Sequence, residues 1–373
     1  MDFSLSEEQR ALADLAAQIL GDQCRLERLK AIEASGDRYD RELWAEFAKA
    51  GLLGAALPER CGGSGGGLVE ACLLLEQQGR RVAPLPLLAT IVSAAMPVAR
   101  FGSAEQQQRY LPGVVAGTTL LSAALSELEP GRRVPVTTAV AAGQGWRLNG
   151  VNQGVPIADA AAAVLVPART EDGAVGVFLV DPQAPGITLA RQETTNWEPQ
   201  FRMQLAEVPV GAAALLGSLD AGAHILDWIA DRTTVGVCAI ASGVCQEAVR
   251  LTAEYASNRK QFDKPIAMFQ AVGQRMADSY IDNEAVNLTM WQAASRLADE
   301  MPSAKEIATA KYWAAEGGSR IGHAALHIHG GISIDVDYPI HRYFLWAKQM
   351  EYSLAAATPQ LVHLGELIAA EPA

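Results

Sequence analysis

The sequence predicts an α+β protein, mainly helical, in three successive parts: an N-terminal helical domain over residues 1–117, a central β-barrel or sandwich domain over 118–219, and a C-terminal four-helix bundle over 220–373. Three observations carry that prediction. Apolar residues recur at helical spacing through residues 3–120. Short Val/Ile/Leu-rich runs broken by turn dipeptides replace them from about 118 to 218, and long helical patterns return from about 220. A chain of 373 residues, at about 150 residues per domain, has room for two or three domains.

The first helix begins where Ser4 or Ser6 can cap it, with Glu7 and Glu8 in the first turn, where the helix dipole favours acids. Leu12, Leu15, Ala16, Ile19 and Leu20 follow at helical spacing. Pro58 and the glycine-rich run 62–67 interrupt the pattern. It resumes over 68–81, and Pro84 and Pro86 end it. A further helix is predicted over about 87–101, with Pro112-Gly113 closing the region. In the β part, Glu129-Pro130-Gly131, Asp181-Pro182 and Pro185-Gly186 mark turns, and Asn149-Gly150 reads as the turn of a hairpin. The helix expected over 223–257 carries Ala230, Gly236, Ala239, Ala241, Ser242 and Gly243. Such small residues let helices approach closely and put this one at the centre of the bundle.

Half the residues are apolar and 19% are charged, so a large core is readily built and disorder is excluded. The net charge of -12 argues against nucleic acid, which selects basic surfaces. It does not argue against a small phosphate-bearing ligand, which needs only a local basic patch. Five cysteines, an odd number with no CxxC pair, point to a reduced cytoplasmic protein. No basic region followed by an apolar core opens the chain, and no uninterrupted apolar run approaches the ~18 residues of a membrane helix. Neither a secretory signal nor a membrane partner is therefore expected.

Several motifs fail on inspection. The run Gly62–Gly67 does not fit GxGxxG, because the pattern started at Gly63 ends on Leu68, and no βαβ unit surrounds it. His323 and His327 share a helix face, but HAALH lacks the glutamate of a HExxH zinc motif. No metal is expected, and His323, His327 and His329 read as helix-packing or cofactor-contacting residues. Cys238 and Cys245, two turns apart, read as buried small apolar residues.

Two C-terminal segments are specific. One runs Arg259-Lys260-Gln261-Phe262-Asp263-Lys264-Pro265-Ile266, followed by Phe269-Gln270 and Met276-Ala277-Asp278. The other runs His327-Ile328-His329-Gly330-Gly331-Ile332, followed by Asp337-Tyr338-Pro339 and Arg342-Tyr343. Arg259 can offer a planar, permanently charged fork to a pyrophosphate. Gly330-Gly331 lets backbone approach a ligand without Cβ obstruction. Gln270 carries both a donor and an acceptor.

Together these segments resemble the flavin-binding half of the acyl-CoA dehydrogenase family. The opening DFSLSEEQRAL, then LLGAALPERCGGSGGG, LLLEQQGRRVAPLP and YLPGVVAGT, extend the resemblance over nearly all the chain. It implies the acyl-CoA dehydrogenase fold, FAD, a CoA thioester substrate, electron-transfer flavoprotein as a partner and a dimer-of-dimers assembly. In that family the flavin sits at a subunit interface. One chain supplies β-domain residues around the isoalloxazine ring, and its neighbour supplies the arginine-phenylalanine-glutamine segment and the glycine pair. The resemblance thus assigns cofactor binding to Arg259, Phe262, Gln270, His327, Gly330 and Gly331, with Ser126 from the β part.

The family reaction needs a carboxylate to take the α-proton while the β-hydrogen leaves as hydride to the flavin. The usual base is a glutamate just before a Gly-Thr pair near the C-terminus. Here Ala357-Thr358 matches that pair, so Ala356 occupies the base position, and a methyl group cannot accept a proton. Glu351 lies five residues earlier, about 140° away if both share a helix. Some members instead carry the base on the first bundle helix just before an arginine. Asp231-Arg232 matches that pair, but aspartate is one methylene short, and a shift of about 1 Å can cost on the order of 100-fold in rate. Ser126-Glu127 matches the family's first flavin-ring segment. The second falls near Asn152-Gln153-Gly154-Val155-Pro156, without its Trp or hydroxyl.

The ring-side half is thus degraded while the half donated to a neighbour is intact. The expectation is a non-catalytic subunit that completes the FAD site of a homologous catalytic partner. HRYFLWAKQ resembles subunits of α2β2 heterotetramers from bacterial steroid side-chain degradation, which implies a bulky acyl-CoA such as a steroid-CoA. Two alternatives stand beside it: a self-sufficient homo-oligomer using Asp231, and a flavin-free scaffold.

Overall fold

The computed structural model describes residues 3–131 and 133–370. Helices α1 (Glu7–Gln23), α2 (Leu26–Glu33), α3 (Arg41–Lys49), α4 (Leu68–Arg81), α5 (Met96–Phe101) and α6 (Ala104–Val115) come first. Seven strands follow: β1 (Leu121–Ala123), β2 (Thr137–Ala142), β3 (Gly145–Pro156), β4 (Ala163–Thr170), β5 (Val175–Val180), β6 (Ile187–Gln192) and β7 (Gln200–Gly211). Helix α7 (Gly222–Asn258), the short hairpin β8 (Lys260–Gln261) and β9 (Lys264–Pro265), then α8 (Gln270–Ala298), α9 (Ala304–His329), α10 (Ile340–Tyr352) and α11 (Ala357–Ala369) complete the chain. The order helices, strands, helices is the predicted one. Contacts divide the molecule into two units, one of 1–34, 72–83 and 235–373, the other of 35–71 and 84–234.

In the second unit the strands form one curled sheet, ordered β1-β4-β2-β3-β7-β6, with β5 on β4. Leu148, Val164, Phe178, Met203 and Leu205 fill its inner face. The turn expected at Asn149-Gly150 is elsewhere. Ala142 pairs with Gly145, so Gly143 and Gln144 make the two-residue hairpin turn, with Gly143 at φ +61. Asn149-Gly150 instead lies inside β3 at a bulge opposite Glu207. The Asn149 amide satisfies the bulged backbone, its Oδ1 accepting from Glu207 N at 2.8 Å while its Nδ2 donates to the Glu207 carboxylate at 2.6 Å. Asn-Gly chemistry serves a bulge here for the reason it serves turns, a side chain that bonds to local backbone.

The predicted helix over 87–101 also forms differently. Leu88–Ala95 winds as a π-helix before α5, with Met96 N donating to Ile91 O, five residues back. Pro97 explains the change: it has no N–H, and in α register its ring would clash with the carbonyl four residues earlier. Buried Thr90 and Ser93 occupy the widened turn, donating to Leu121 O at 3.0 Å and Leu88 O at 3.1 Å. Pro112 does not end a helix either; it lies inside α6, and the chain turns at Gly117, φ +74.

In the first unit, Ser6 caps α1 in a reciprocal box with Gln9. The small residues of α7 do what their size suggests. A Cβ on Gly243 would overlap Glu76 O of α4, and one on Gly79 would overlap Ile240 O, so the two backbones touch. By length and composition α7 could cross a membrane, yet 78% of its apolar window is buried inside the protein, as in a core helix. Cys238 and Cys245 are buried on it, and burial pushes both thiols up to about 12.

Lys311 of α9 is fully buried, and burial brings its ammonium down to about 8. Its Nζ donates to Glu351 O at 3.0 Å, in the last turn of α10, where the helix dipole favours a cation. Because the folded pKa lies below the unfolded value of roughly 10.4, the cost of burying this charge is full below pH 8 and falls as pH rises toward 10. Lys311→Met is therefore expected to melt at a higher temperature than wild type at pH 7, with the gap narrowing between pH 8 and pH 10. A gap independent of pH would refute this.

Candidate functional site

The two predicted half-sites fall in separate units. In the first unit, α7 ends at Asn258 and delivers Arg259 to the base of the β8–β9 hairpin. Arg259 N donates to Tyr255 O at 2.8 Å, and Ile266 N donates to Arg259 O at 2.8 Å, so the backbone is fixed on both sides. The side chain is exposed and has no ion-pair partner among the described residues. Phe262 and Asp263 form the hairpin tip, both left-handed at φ +52 and +63. That geometry normally selects Asn-Gly, and a phenylalanine there is strained. The strain holds the ring out, 85% exposed, with its edge toward Phe269. An aromatic ring in water at a tight turn argues for a surface that something covers. Gln270 opens α8, exposed, and between Gln270 and Ile281 only Ser279 is buried.

The second segment ends α9. Gly330 sits at φ 66, ψ -140, a conformation essentially restricted to glycine. A Cβ on Gly330 or Gly331 would meet no atom within 4 Å, so the turn is an open cradle. His327 is exposed, and its Nδ1 pairs with the Arg275 guanidinium at the edge of a groove of about 770 Å³ between α8 and α9. No group of His, Cys, Asp and Glu among the described residues can hold a metal. An exposed permanent cation, an exposed amide and an unobstructed glycine turn on one unit are the donor set for a dinucleotide phosphate and its sugar chain, and the residues present fit FAD.

Ala356 lies between α10 and α11, half-buried, as the residue before α11. Glu351 does not share a helix with it. The chain breaks after Tyr352, and Leu354 and Ala355 are both left-handed at φ +52 and +73. The Glu351 carboxylate is held by Lys348 Nζ at 2.7 Å.

In the second unit, Ser126 is exposed and donates to Gln153 O. Gln153 Oε1 accepts from Gln192 Nε2 at 3.0 Å, and Gln192 Oε1 accepts from Gly154 N at 2.8 Å. Gly154, at φ +56, is crowded by Ser126 Oγ and Gln200 Oε1, so a side chain there would displace both. Gln200 in turn donates to half-buried Glu198, whose carboxyl burial pushes above the usual range. Asp231 is in an ion pair. Arg133 Nη2 binds its Oδ1 at 2.5 Å, and Arg133 Nη1 bridges to the carbonyl and carboxylate of Asp227 at 3.0 and 3.1 Å. The guanidinium thus already occupies Asp231 Oδ1. Sequence reasoning missed Arg133, whose loop position carries no motif, and Gln192, which the β6–β7 pairing brings to the site from a distant part of the chain.

The comparisons with known proteins follow the same geometry. Residues 6–118 match the family description "Acyl-CoA dehydrogenase, N-terminal domain" and residues 220–353 match "Acyl-CoA dehydrogenase, C-terminal domain". The chain is similar to acyl-CoA dehydrogenase FadE27 of Mycobacterium tuberculosis, 40% identical with 100% of both chains covered. It is also similar to FadE28 of that organism, 34% identical over 98% of each. Among solved structures, a subunit of the ChsE4-ChsE5 complex from Mycobacterium tuberculosis superposes with TM-score 0.94 at 40% identity over 100% of each chain. A variant of the Tcur3481-Tcur3483 steroid ACAD superposes with TM-score 0.91 at 45% identity over 98% of this chain and 99% of that one. The chain belongs to the acyl-CoA dehydrogenase family, FAD-dependent oxidoreductases that act on acyl-CoA esters.

Proposed function

We propose that this chain is the non-catalytic subunit of a heteromeric acyl-CoA dehydrogenase, lending Arg259, Phe262, Gln270, His327 and the Gly330-Gly331 turn to FAD held mainly by a homologous catalytic partner. The observation that carries the reading is the asymmetry of the two halves. The lent half is open and exposed, down to a strained phenylalanine held in solvent. The other half is filled by its own glutamine hydrogen bonds around Ser126, Gln153 and Gln192, and the base position is Ala356. Similar structures of two-protein complexes favour an α2β2 assembly, and the steroid ACAD among them favours a bulky or steroid-CoA ester. When bound, FAD supplies the two-electron chemistry, and electron-transfer flavoprotein is the electron acceptor. This chain's residues bind and orient it.

The test is flavin stoichiometry. Purified alone, the chain is expected to hold little flavin; purified with its homologous partner, the complex should hold about one FAD per two chains. One FAD on every chain of the isolated protein would overturn the reading and make Asp231 the leading base. Arg133→Gln should then raise activity and Asp231→Asn abolish it.

A further inference from the structure

The Arg259 segment and the Gly330-Gly331 turn, far apart in sequence, are joined by three rings. Tyr255 lies one turn before Arg259, whose N–H it accepts at 2.8 Å. Its ring stacks on His329, the residue before Gly330, at 4.4 Å and 24°. Its hydroxyl donates to His329 O at 3.3 Å. Tyr338, beyond the turn, packs against His329 at 5.4 Å and meets Tyr255 edge-on at 6.4 Å, so the three rings form a compact triangle. His329 is 3% exposed. Its Nδ1 lies 2.8 Å from Ala325 O, an acceptor, so Nδ1 carries the hydrogen and Nε2 is a bare lone pair. That Nε2 is buried with no hydrogen-bond partner among the described residues. Protonating it would place a charged N–H where nothing accepts it, and burial already pushes the imidazole below its usual range.

We propose that His329 is a positioning residue for the flavin: as a neutral ring stacked on Tyr255 and packed against Tyr338, it sets the Arg259 segment against the Gly330-Gly331 turn. The inference rests on the reading that this half-site serves FAD in the assembled complex. The ring does the spacing and neutrality keeps it seated, so the site stays intact through the free imidazole value of about 6.5 and loosens only as pH falls below it. The other titratable groups facing the rings are Tyr255 and Tyr338 themselves, Glu254 beside Tyr338, and His341, whose Nδ1 meets Tyr338 O.

The experiment uses the complex with its homologous partner and measures the FAD dissociation constant by flavin fluorescence from pH 5 to 8. Wild type should hold its affinity down to about pH 6.5 and weaken only at lower pH. His329→Leu should bind on the order of tenfold more weakly at pH 8, because both ring contacts are lost. His329→Phe should restore most of that affinity and remove the acid weakening, and His341→Gln should retain it. Wild-type affinity in His329→Leu, or acid weakening that persists in His329→Phe, would overturn the proposal. If His329→Leu does not assemble, the pH profile of His329→Phe decides alone. A wild-type complex without flavin would instead sink the shared-site reading and leave no affinity to compare.

Discussion

Arg259→Ala in the assembled complex is expected to raise the FAD dissociation constant on the order of 10- to 100-fold, the fold-change of a lost charge-assisted bidentate contact worth about 1.5–3 kcal/mol. Arg259 has no internal ion pair among the described residues, so alanine there leaves no orphaned charge behind. Stability of the chain should hardly change while flavin content falls, and that separation identifies a ligand contact. Arg259→Lys should recover part of the affinity, as a point charge without the fork. Added salt should weaken wild type more than Arg259→Ala, because only the former contact is screened. Flavin absorbance per complex and a salt titration check all three. Unchanged flavin content in Arg259→Ala would favour the scaffold alternative, in which the lent half-site has lost its ligand.

Glu33→Leu is the substitution expected to cost most stability. Glu33 on α2 holds Arg342 on α10 with two parallel bonds, 2.6 Å to Nε and 2.7 Å to Nη2. Arg342 is 3% exposed and its remaining nitrogen reaches Val336 O at 3.3 Å. Removing the carboxylate strands a buried guanidinium, for which a loss of about 3–5 kcal/mol is typical. Removing both partners in Glu33→Leu/Arg342→Met should recover most of that loss, since an apolar pair needs no counter-ion. Urea denaturation of the four proteins checks the cycle. A single mutant no worse than the double would show that the pair carries little. The pair also braces the segment just after the glycine turn, so flavin content should fall with stability in Glu33→Leu, unlike in Arg259→Ala.

Much of this was legible in the sequence because the signals were local. The Ser6 box, the breaks at Pro84 and Pro86 and the small-residue stripe of α7 each act within a few residues of where they are written. The Arg259 and Gly330 segments stood out as candidates because a cofactor contact needs particular side chains and backbone angles in fixed order. What was missed depended on partners distant in the chain. Asn149-Gly150 serves a bulge rather than a turn because Glu207 lies opposite it on β7. Pro97 widened a helix that periodicity alone reads as α. Arg133 meets Asp231 and Glu33 meets Arg342 across separations that no local pattern encodes. His329 was visible as a letter in a motif, but its burial against two tyrosines was not.

The bare first half of α8, with Phe262, Met268, Ile332, Ile334 and Val336 exposed on the same unit, has a consequence for the living cell. On the proposed heteromeric reading, a newly made copy that has not met its mate displays apolar side chains of the sort that chaperones and proteases seize. Its abundance would then be governed by the supply of the mate rather than by its own transcription, and a surplus would be degraded rather than stored. Matched synthesis of the two polypeptides, as from one messenger, is the economical arrangement for such a molecule.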